Sequence, residues 1–513
     1  MGDASTAHRE IERKLSVPAD FRLPDLVAAG VVSRWQPQEA ITLRAVYYDT
    51  EDLRLIRNGI TLRRRVGGHD EGWHVKLPIS TSKAWEREEI RLPLADFVPP
   101  ELADIVMPVT RGGRLEPQAT VLTQRTPLEV TDAEGRVRAE IVDDRVEVRS
   151  PTGRVVAFRE IEVEATDPAA DTSVMDAIAD ALIEHGARPS TMSKAAGVLG
   201  PRAQLPPDLP HLPMPGPQGV AADAMISALS GYARHLVVAD IGVRRSAPDA
   251  VHQVRVACRR LRSALRAFGP LFDPAVIEPI REELAWLAAE LGPWRDTEVI
   301  ADRLGRRVAE VGADEEVVAY LTRHFTTRLV DARLGALAAL RSDRHNLLLD
   351  DLVDLVRNPP LRSEGFLPVR ETMPPLAWRT WRSLRRAVRS LELDSPADEW
   401  HEVRIKAKRA RYAVEIASGV FGDPVTRLAE RLSVVTDALG EHQDAHVAQS
   451  VLRALVHRDG TPASSTPPPT APVAFALGRM YEMEMASEIQ ARIAFTSAWP
   501  DARRAARRSG LGS

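Results

Sequence analysis

The stretch Glu10-Ile11-Glu12-Arg13-Lys14 decides how the N-terminal part of the chain is read. Written as a strand, it alternates: Glu10, Glu12 and Lys14 project to one face, while Ile11, Arg13 and Leu15 project to the other. Two carboxylates one strand repeat apart suit a hard divalent cation bound through oxygen, and an adjacent amine suits an anion that the same cation also binds. This combination points to phosphate chemistry. An ordinary solvent-facing strand of mixed charge carries the same pattern, so the strands that follow have to decide between the two.

From Glu10 to Glu164 the chain reads as short alternating strands broken by Gly, Pro and Asp turns, with one helix expected near Pro24–Gly30. Each strand has one apolar and one charged face. Arg63 and Arg65 oppose Leu62; His74 and Lys76 oppose Trp73, Val75 and Leu77; Arg87, Glu89 and Arg91 oppose Ile90 and Leu92. Glu140 and Asp144 share a parity, and Glu160, Glu162 and Glu164 oppose Ile161 and Val163. An antiparallel sheet with one solvated face explains the alternation alone. It does not explain why acids gather in the first and last strands and bases in the middle ones, a segregation better suited to a metal site beside an anion cradle.

The ordered set Glu10-x-Glu12-x-Lys14, Tyr48-Asp49-Thr50 to Arg63-Arg64-Arg65, Lys76, Arg87-x-Glu89, Arg125, Asp144 and Glu162-x-Glu164 resembles the CYTH family of triphosphate tunnel metalloenzymes. The resemblance implies an antiparallel β-barrel whose inward side chains hold a triphosphate and divalent cations. On it, Glu10, Glu12, Glu162 and Glu164 bind Mg²⁺ or Mn²⁺. Lys14, Arg63, Arg65, Lys76, Arg87 and Arg125 grip the phosphates, with Glu89 and Asp144 matching further catalytic positions. Glu160 offers an alternative register for the last motif. A helix is expected over Asp171–Gly186, and Lys194 either reaches back to the tunnel or is solvated.

Seven prolines between Gly200 and Gly219 read as an extended spacer. Beyond it, Ala/Leu/Arg-rich segments of 3.6 periodicity run to about Trp499, so the expected organisation is a tunnel domain at 1–200, a linker at 201–219 and an all-α domain at 220–500. The fold class is therefore multidomain α+β. The helical part contains a duplication: Asp249-x-x-His252-x-x-Arg255 to Arg262 matches Asp398-x-x-His401-x-x-Arg404 to Arg411, at an offset of 401 − 252 = 149. Leu291-Gly-Pro-Trp-Arg-Asp296 likewise matches Leu439-Gly-Glu-His-Gln-Asp444, placing two repeats at about 220–340 and 370–500. Asp249 and Asp398 read as helix N-caps. His252, Arg255, Arg259, Arg262 and Arg266 line one helical face, as do His401, Arg404, Lys408 and Arg411. A solvated basic face balanced by acids on a neighbouring helix is the plain alternative; two such faces brought together by duplication would form a groove for a linear polyanion.

These residues, with Arg260 and Arg409 in the same motifs, resemble the CHAD family of conserved-histidine α-helical domains. The resemblance implies two pseudo-symmetric bundles binding inorganic polyphosphate in a basic groove. Thr461–Pro472 reads as disordered, Ala474–Trp499 as an amphipathic helix, and Arg503 to Arg508 as a basic tail.

With 68 basic against 72 acidic residues and a pI near 6.4, the chain has no net charge to draw in a polyanion such as nucleic acid, so any anion site arises from local segregation. A single cysteine, Cys258, excludes intrachain disulfides. The absence of long apolar runs predicts no membrane span, and the expected location is the cytoplasm, with association to polyphosphate granules. The leading expectation is a metal-dependent inorganic triphosphatase that also binds polyphosphate. The alternatives are a non-catalytic polyphosphate-binding or localisation protein, an adenylate cyclase and a thiamine triphosphatase.

Overall fold

The structure, a computed structural model, describes residues 6–78, 86–166, 172–456 and 468–512, with the side chains of residues 6–10 and of Glu86 outside that description. The chain divides into two compact units, Met1–Asp208 and Leu209–Ser513.

The first unit is built on ten antiparallel strands: β1 Thr6–Val17, β2 Arg34–Pro37, β3 Ile41–Asp49, β4 Thr61–Val66, β5 Gly72–Pro78, β6 Glu86–Leu92, β7 Glu116–Thr131, β8 Val137–Arg149, β9 Val155–Ala165 and β10 Arg188–Pro189. Eight of them form a circuit, β1-β6-β5-β4-β3-β7-β8-β9, which returns to its start because β9 pairs with β1. The curled sheet thus has an inner and an outer face, and the period-2 alternation read from the sequence sorts the side chains between them. Ile11, Leu15, Ile161 and Val163 go outward, where helix α3 (Ser173–Glu184) covers them with Met175, Ile178 and Leu182. The β4–β5 turn depends on Gly67, whose φ of 91° is left-handed and whose missing Cβ would meet the Thr42 carbonyl oxygen at 2.4 Å.

Three other helices belong to this unit: α1 (Arg54–Arg57), α2 (Pro100–Thr110) and α4 (Ala196–Leu199). Asp49, at the end of β3, starts α1 by accepting from the backbone N–H groups of Leu55 (2.8 Å) and Ile56 (2.9 Å). The helix expected near Pro24–Gly30 is only a turn: the Asp25 side chain accepts from Val27 and Ala28, and Gly30 enters the left-handed region at φ 72° and stops propagation. The proline-rich stretch is not wholly extended either. Gly200–Gln204 forms a 3-10 turn, Arg57 donates to the Pro206 carbonyl at 2.7 Å, and Asp208 accepts from both Arg57 and Arg111 at 2.6 Å.

The second unit is helical: α5 Ala221–Arg244, α6 Ala250–Ala267, α7 Pro274–Glu290, α8 Gly292–Val311, α9 Glu315–Leu340, α10 Asp343–Arg357, α11 Val369–Arg389, α12 Ala397–Phe421, α13 Asp423–Val456 and α14 Ala471–Arg508. One large core runs from α5 to the α12–α13 pair through Leu236, Val254, Leu261, Trp381, Val403 and Leu432. A smaller one joins α8 and α9 to α13 and α14 through Leu304, Leu321, Leu452 and Leu477. Arg503 to Arg508, expected as a tail, continue α14 past Pro500, with Ala502 and Ala506 buried. Most of the Thr461–Pro472 segment lies outside the described residues. Asp249 takes the N-cap position of α6 as expected, but neither aspartate caps its helix through its side chain. Asp249 is left-handed (φ 60°), and its carboxylate accepts from the Gln253 side chain at 2.8 Å, while α12 starts at Ala397, which puts Asp398 inside its first turn. Among the described residues no helix is long and apolar enough to cross a membrane.

Candidate functional site

The inner face of the curled sheet changes character along its length. At one end it is apolar: Ala45, Ala119, Val121, Val146 and Val148 pack against Ala195 and Val198 around α4. This short helix packs across that end and, because Lys194 lies two residues before its start, delivers an ammonium group to the floor of the charged layer. Above it lies a cavity lined by eight basic and five acidic side chains, among them Glu12, Lys14, Arg63, Arg65, Lys76, Arg87, Glu89, Arg125, Glu162, Glu164 and Lys194. Strand pairing sets Glu12 opposite Glu164, Lys14 opposite Glu162, Arg125 opposite Asp144 and Lys76 opposite Glu89. The backbone of Glu10 pairs with Arg87, but its side chain lies outside the described residues.

Two acidic centres organise the cations. At the first, Lys194 Nζ lies 2.8 Å from Glu160, 2.8 Å from Glu162 and 2.9 Å from Asp144. Lys14 reaches Glu160 at 2.9 Å, and Arg125 grips Asp144 with two hydrogen bonds of 2.9 and 2.7 Å. Burial alone would lower the Lys194 pKa, yet Glu160, Glu162 and Asp144 hold it well above the usual lysine value. Burial would likewise raise Glu162, but Lys194, Lys14 and Arg125 hold its carboxyl well below the usual range. At the second centre buried Glu89 accepts from His74 Nδ1 at 2.9 Å and Arg91 Nε at 2.7 Å, with Arg63 at 3.4 Å and Lys76 at 4.0 Å. Burial would raise Glu89; His74, Lys76 and Arg63 hold it well below the ordinary value, making it a fixed anion rather than a proton acceptor.

The cations also repel one another. Burial, with the charges of Arg63 and Arg125 added, pushes the Arg65 guanidinium down to about 9, although Arg65 pairs with Asp70. A phosphate chain among these groups would relieve that repulsion. The sequence reading missed Tyr47, which is buried and accepts from Arg63 Nη1 at 3.4 Å, and Asp70 in the β4–β5 turn. Tyr47 sits in an otherwise apolar inner row, Leu43 and Ala45, that gave no chemical signal. Arg91 was detectable from its parity with Arg87 and Glu89.

Glu12, Glu162 and Glu164 bring carboxylate oxygens within 4.8 Å of one another, a donor set suited to a hard divalent cation. Asp144, Glu160 and Glu162 form a second such group, the one already holding Lys194.

In the helical unit α6 and α12 bring the two duplicated basic faces into electrostatic range. Burial, then Arg404 and Arg259, push Lys408 down to about 7, and burial, then Arg295, Arg259 and Lys408 among its charged neighbours, lower His252. Arg409 is lowered by burial and by Arg266, Arg262 and Arg281. Other predicted members are engaged inside the protein. Arg255 donates to the Gly292 carbonyl (2.8 Å) and pairs with Asp296 (3.0 Å); His401 hydrogen-bonds to Gln443 at 2.6 Å; Arg411 pairs with Glu415 at 2.7 Å, and Arg260 lies 3.8 Å from the same carboxylate. The Leu-Gly-x-x-x-Asp motif thus supplies the carboxylate that holds the motif arginine of the first repeat, and Asp444 stands within electrostatic range of Arg404 in the second.

Residues 8–196 match the CYTH domain family and residues 227–453 the CHAD domain family. CYTH domains are metal-dependent, and the family includes triphosphatases and cyclases; the CYTH and CHAD families are linked to triphosphate and polyphosphate binding. Two uncharacterized proteins of Mycobacterium tuberculosis, from strains CDC 1551 and H37Rv, are each 34% identical over 512 residues, covering 93% of this chain and 93% of their own. Among solved structures, PptA from Streptomyces chartreusis is 25% identical (TM-score 0.46; 55% of this chain, 100% of that one). A Hippeastrum protein described as an adenylyl cyclase with a dominant triphosphatase activity is 18% identical (TM-score 0.21; 36% and 92%). With a carboxylate trio inside a curled sheet, a duplicated basic helix pair, and both domain matches in this order, the chain belongs to the family that joins a CYTH domain to a CHAD domain.

Proposed function

We propose that the first unit hydrolyses inorganic triphosphate and that the helical unit binds inorganic polyphosphate. The observation that carries the reading is the inner layer itself: a carboxylate trio, Glu12, Glu162 and Glu164, shares one cavity with Lys14, Arg63, Arg65, Lys76, Arg87 and Arg125. Glu12, Glu162 and Glu164, with Glu10 next along β1, would hold Mg²⁺ or Mn²⁺. Such an ion, when bound, polarises phosphoryl oxygens and acidifies a bound water. The cations bind and orient the phosphate chain and stabilise charge moving to the leaving group. Glu89, held well below the ordinary carboxylate value, positions Arg63 by fixed negative charge, while Asp144 and Glu160 position Arg125 and Lys194 through their ion pairs. Helix α4, packed across one end of the layer, excludes water there.

Phosphate release from tripolyphosphate, ATP and thiamine triphosphate, each measured with Mg²⁺, Mn²⁺ or chelator, tests this reading. It expects metal-dependent release, fastest on tripolyphosphate. Pyrophosphate and cyclic nucleotide from ATP would establish a cyclase instead, and a folded protein inert on all three would establish a binding module.

A further inference from the structure

The duplication makes a strong prediction about symmetry, and the structure breaks it in one place. Between α6, α11 and α12 lies a cavity of about 270 Å³ whose cations are Arg266, Arg379, Lys406 and Arg409. Applying the repeat offset of 149 gives their counterparts: 266 + 149 is Glu415, 379 − 149 is Ser230, 406 − 149 is Ala257 and 409 − 149 is Arg260. Only one of the four has a basic counterpart. On the symmetry-related side Arg260 lies 3.8 Å from Glu415, whereas here the equivalent residues are Arg409 and Arg266, two like charges. Neither has a carboxylate within 4.0 Å among the described residues, and Arg379 spends a hydrogen bond only on the Ala267 carbonyl, at 3.3 Å. Lys406 alone is paired, with Glu402 at 2.6 Å on its own helix.

The same wall carries the Ser383 hydroxyl and Thr380, whose own hydroxyl donates to the Ala377 carbonyl at 2.6 Å, and at Ser263 the counterpart is the much larger Tyr412. At Ser263 a small hydroxyl stands where the other repeat has bulk, and at Arg266 an arginine stands where it has a carboxylate. The space greatly exceeds one water's share of liquid volume, about 30 Å³. Unpaired guanidinium groups beside hydroxyls in a concave site suit phosphoryl oxygens through charge-assisted hydrogen bonds.

We propose that this cavity, whose lining includes neither Arg259 nor Lys408, is a phosphoryl-binding site present once per chain, on the Arg266–Arg409 side only. It deepens the polyphosphate reading of the helical unit: a bound chain would meet different ends, one gripped by this site and the other by none. The phosphoryl groups come either from a short free phosphate or from a segment of a longer chain.

Arginine modification by a dicarbonyl reagent, mapped by mass spectrometry on the full chain, reads the site without interference from the first unit. Pyrophosphate and long-chain polyphosphate are the two probes. The expected result is protection of Arg266 and Arg409 by on the order of tenfold. Protection by pyrophosphate identifies a site for short phosphates, and protection by the long chain alone identifies a chain-holding site. Arg266→Glu recreates the Arg260–Glu415 pairing seen elsewhere in the molecule, so it should fold, abolish protection at Arg409 and weaken polyphosphate binding about tenfold. Ser383→Ala should weaken it less. If neither probe protects Arg266 and Arg409, the site does not exist, even where Lys408→Glu still weakens polyphosphate binding. If Lys408→Glu also has no effect, the polyphosphate reading of the whole unit falls with it.

Discussion

The two units both concentrate cations, and they differ in what accompanies them. Inside the curled sheet two clusters of bases are centred on buried carboxylates, so that Lys194 and Glu162 each stabilise the other's charge. Along α6 and α12 the bases of the two repeats face one another with fewer acids between them, and Lys408 loses its proton near neutrality. The first arrangement fixes charges in place and gathers carboxylate oxygens of the kind that suit a divalent metal, which fits the proposed reaction on phosphoryl groups. The second arrangement stores repulsion that any polyanion relieves, which is what binding requires. Net charge near balance hides both, because the segregation is local.

The comparison can be broken most forcefully by removing the metal or a residue of the sheet's inner layer. Chelation should lower phosphate release from tripolyphosphate roughly a thousandfold or more, with polyphosphate affinity unchanged. Lys194→Ala leaves Asp144, Glu160 and Glu162 without their shared ammonium and should reduce turnover roughly a hundredfold; steady-state kinetics and a thermal melt together separate lost catalysis from lost fold. In the helical unit, Lys408→Glu should weaken polyphosphate binding about tenfold and flatten its salt dependence, measured by titration at two salt concentrations, while tripolyphosphate hydrolysis stays as it was.

A pH series sharpens the same contrast. Lys408 has a folded pKa of about 7, below its unfolded value, so stability contributed by this group rises as pH increases from 7. A bound anion raises that pKa again and binding takes up a proton, so polyphosphate affinity should fall as pH rises above 7, by at most tenfold per pH unit for this one group. Lys408→Arg should remove most of the slope. The smallest effect belongs to Arg255: its pair with largely exposed Asp296 is worth about 1 kcal/mol or less, so Arg255→Ala should lower stability slightly and polyphosphate affinity less than Lys408→Glu does.

Strand parity made most of the inner layer legible. Glu12, Lys14, Arg63, Lys76, Glu89, Asp144 and Glu162 could be assigned to one face before any coordinates, because a curled sheet leaves a strand only two sides. The contributions that parity cannot express were missed: Tyr47 looks like core, Asp70 lies in a turn, and the role of α4 as a plug depends on long-range packing rather than on its four residues. In the helical half the duplication was legible from its offset, and so were the basic faces. Helical periodicity could not reveal which arginines face carboxylates of other helices, as Arg255 and Arg260 do, nor that the exchange of Arg266 for Glu415, readable from the offset, sits beside a cavity. The caps failed for a related reason, since Asp249 is drawn to the Gln253 and Arg295 side chains instead of to its helix.

The division of labour between the units is tested most directly by Glu12→Ala, assayed in one preparation for phosphate release from tripolyphosphate with Mg²⁺ or Mn²⁺ and for polyphosphate affinity by isothermal titration. Loss of turnover with wild-type polyphosphate affinity is the predicted result. Undiminished turnover would contradict the metal role of the inner carboxylates, and a matching loss of polyphosphate affinity would contradict the separation of chemistry from binding.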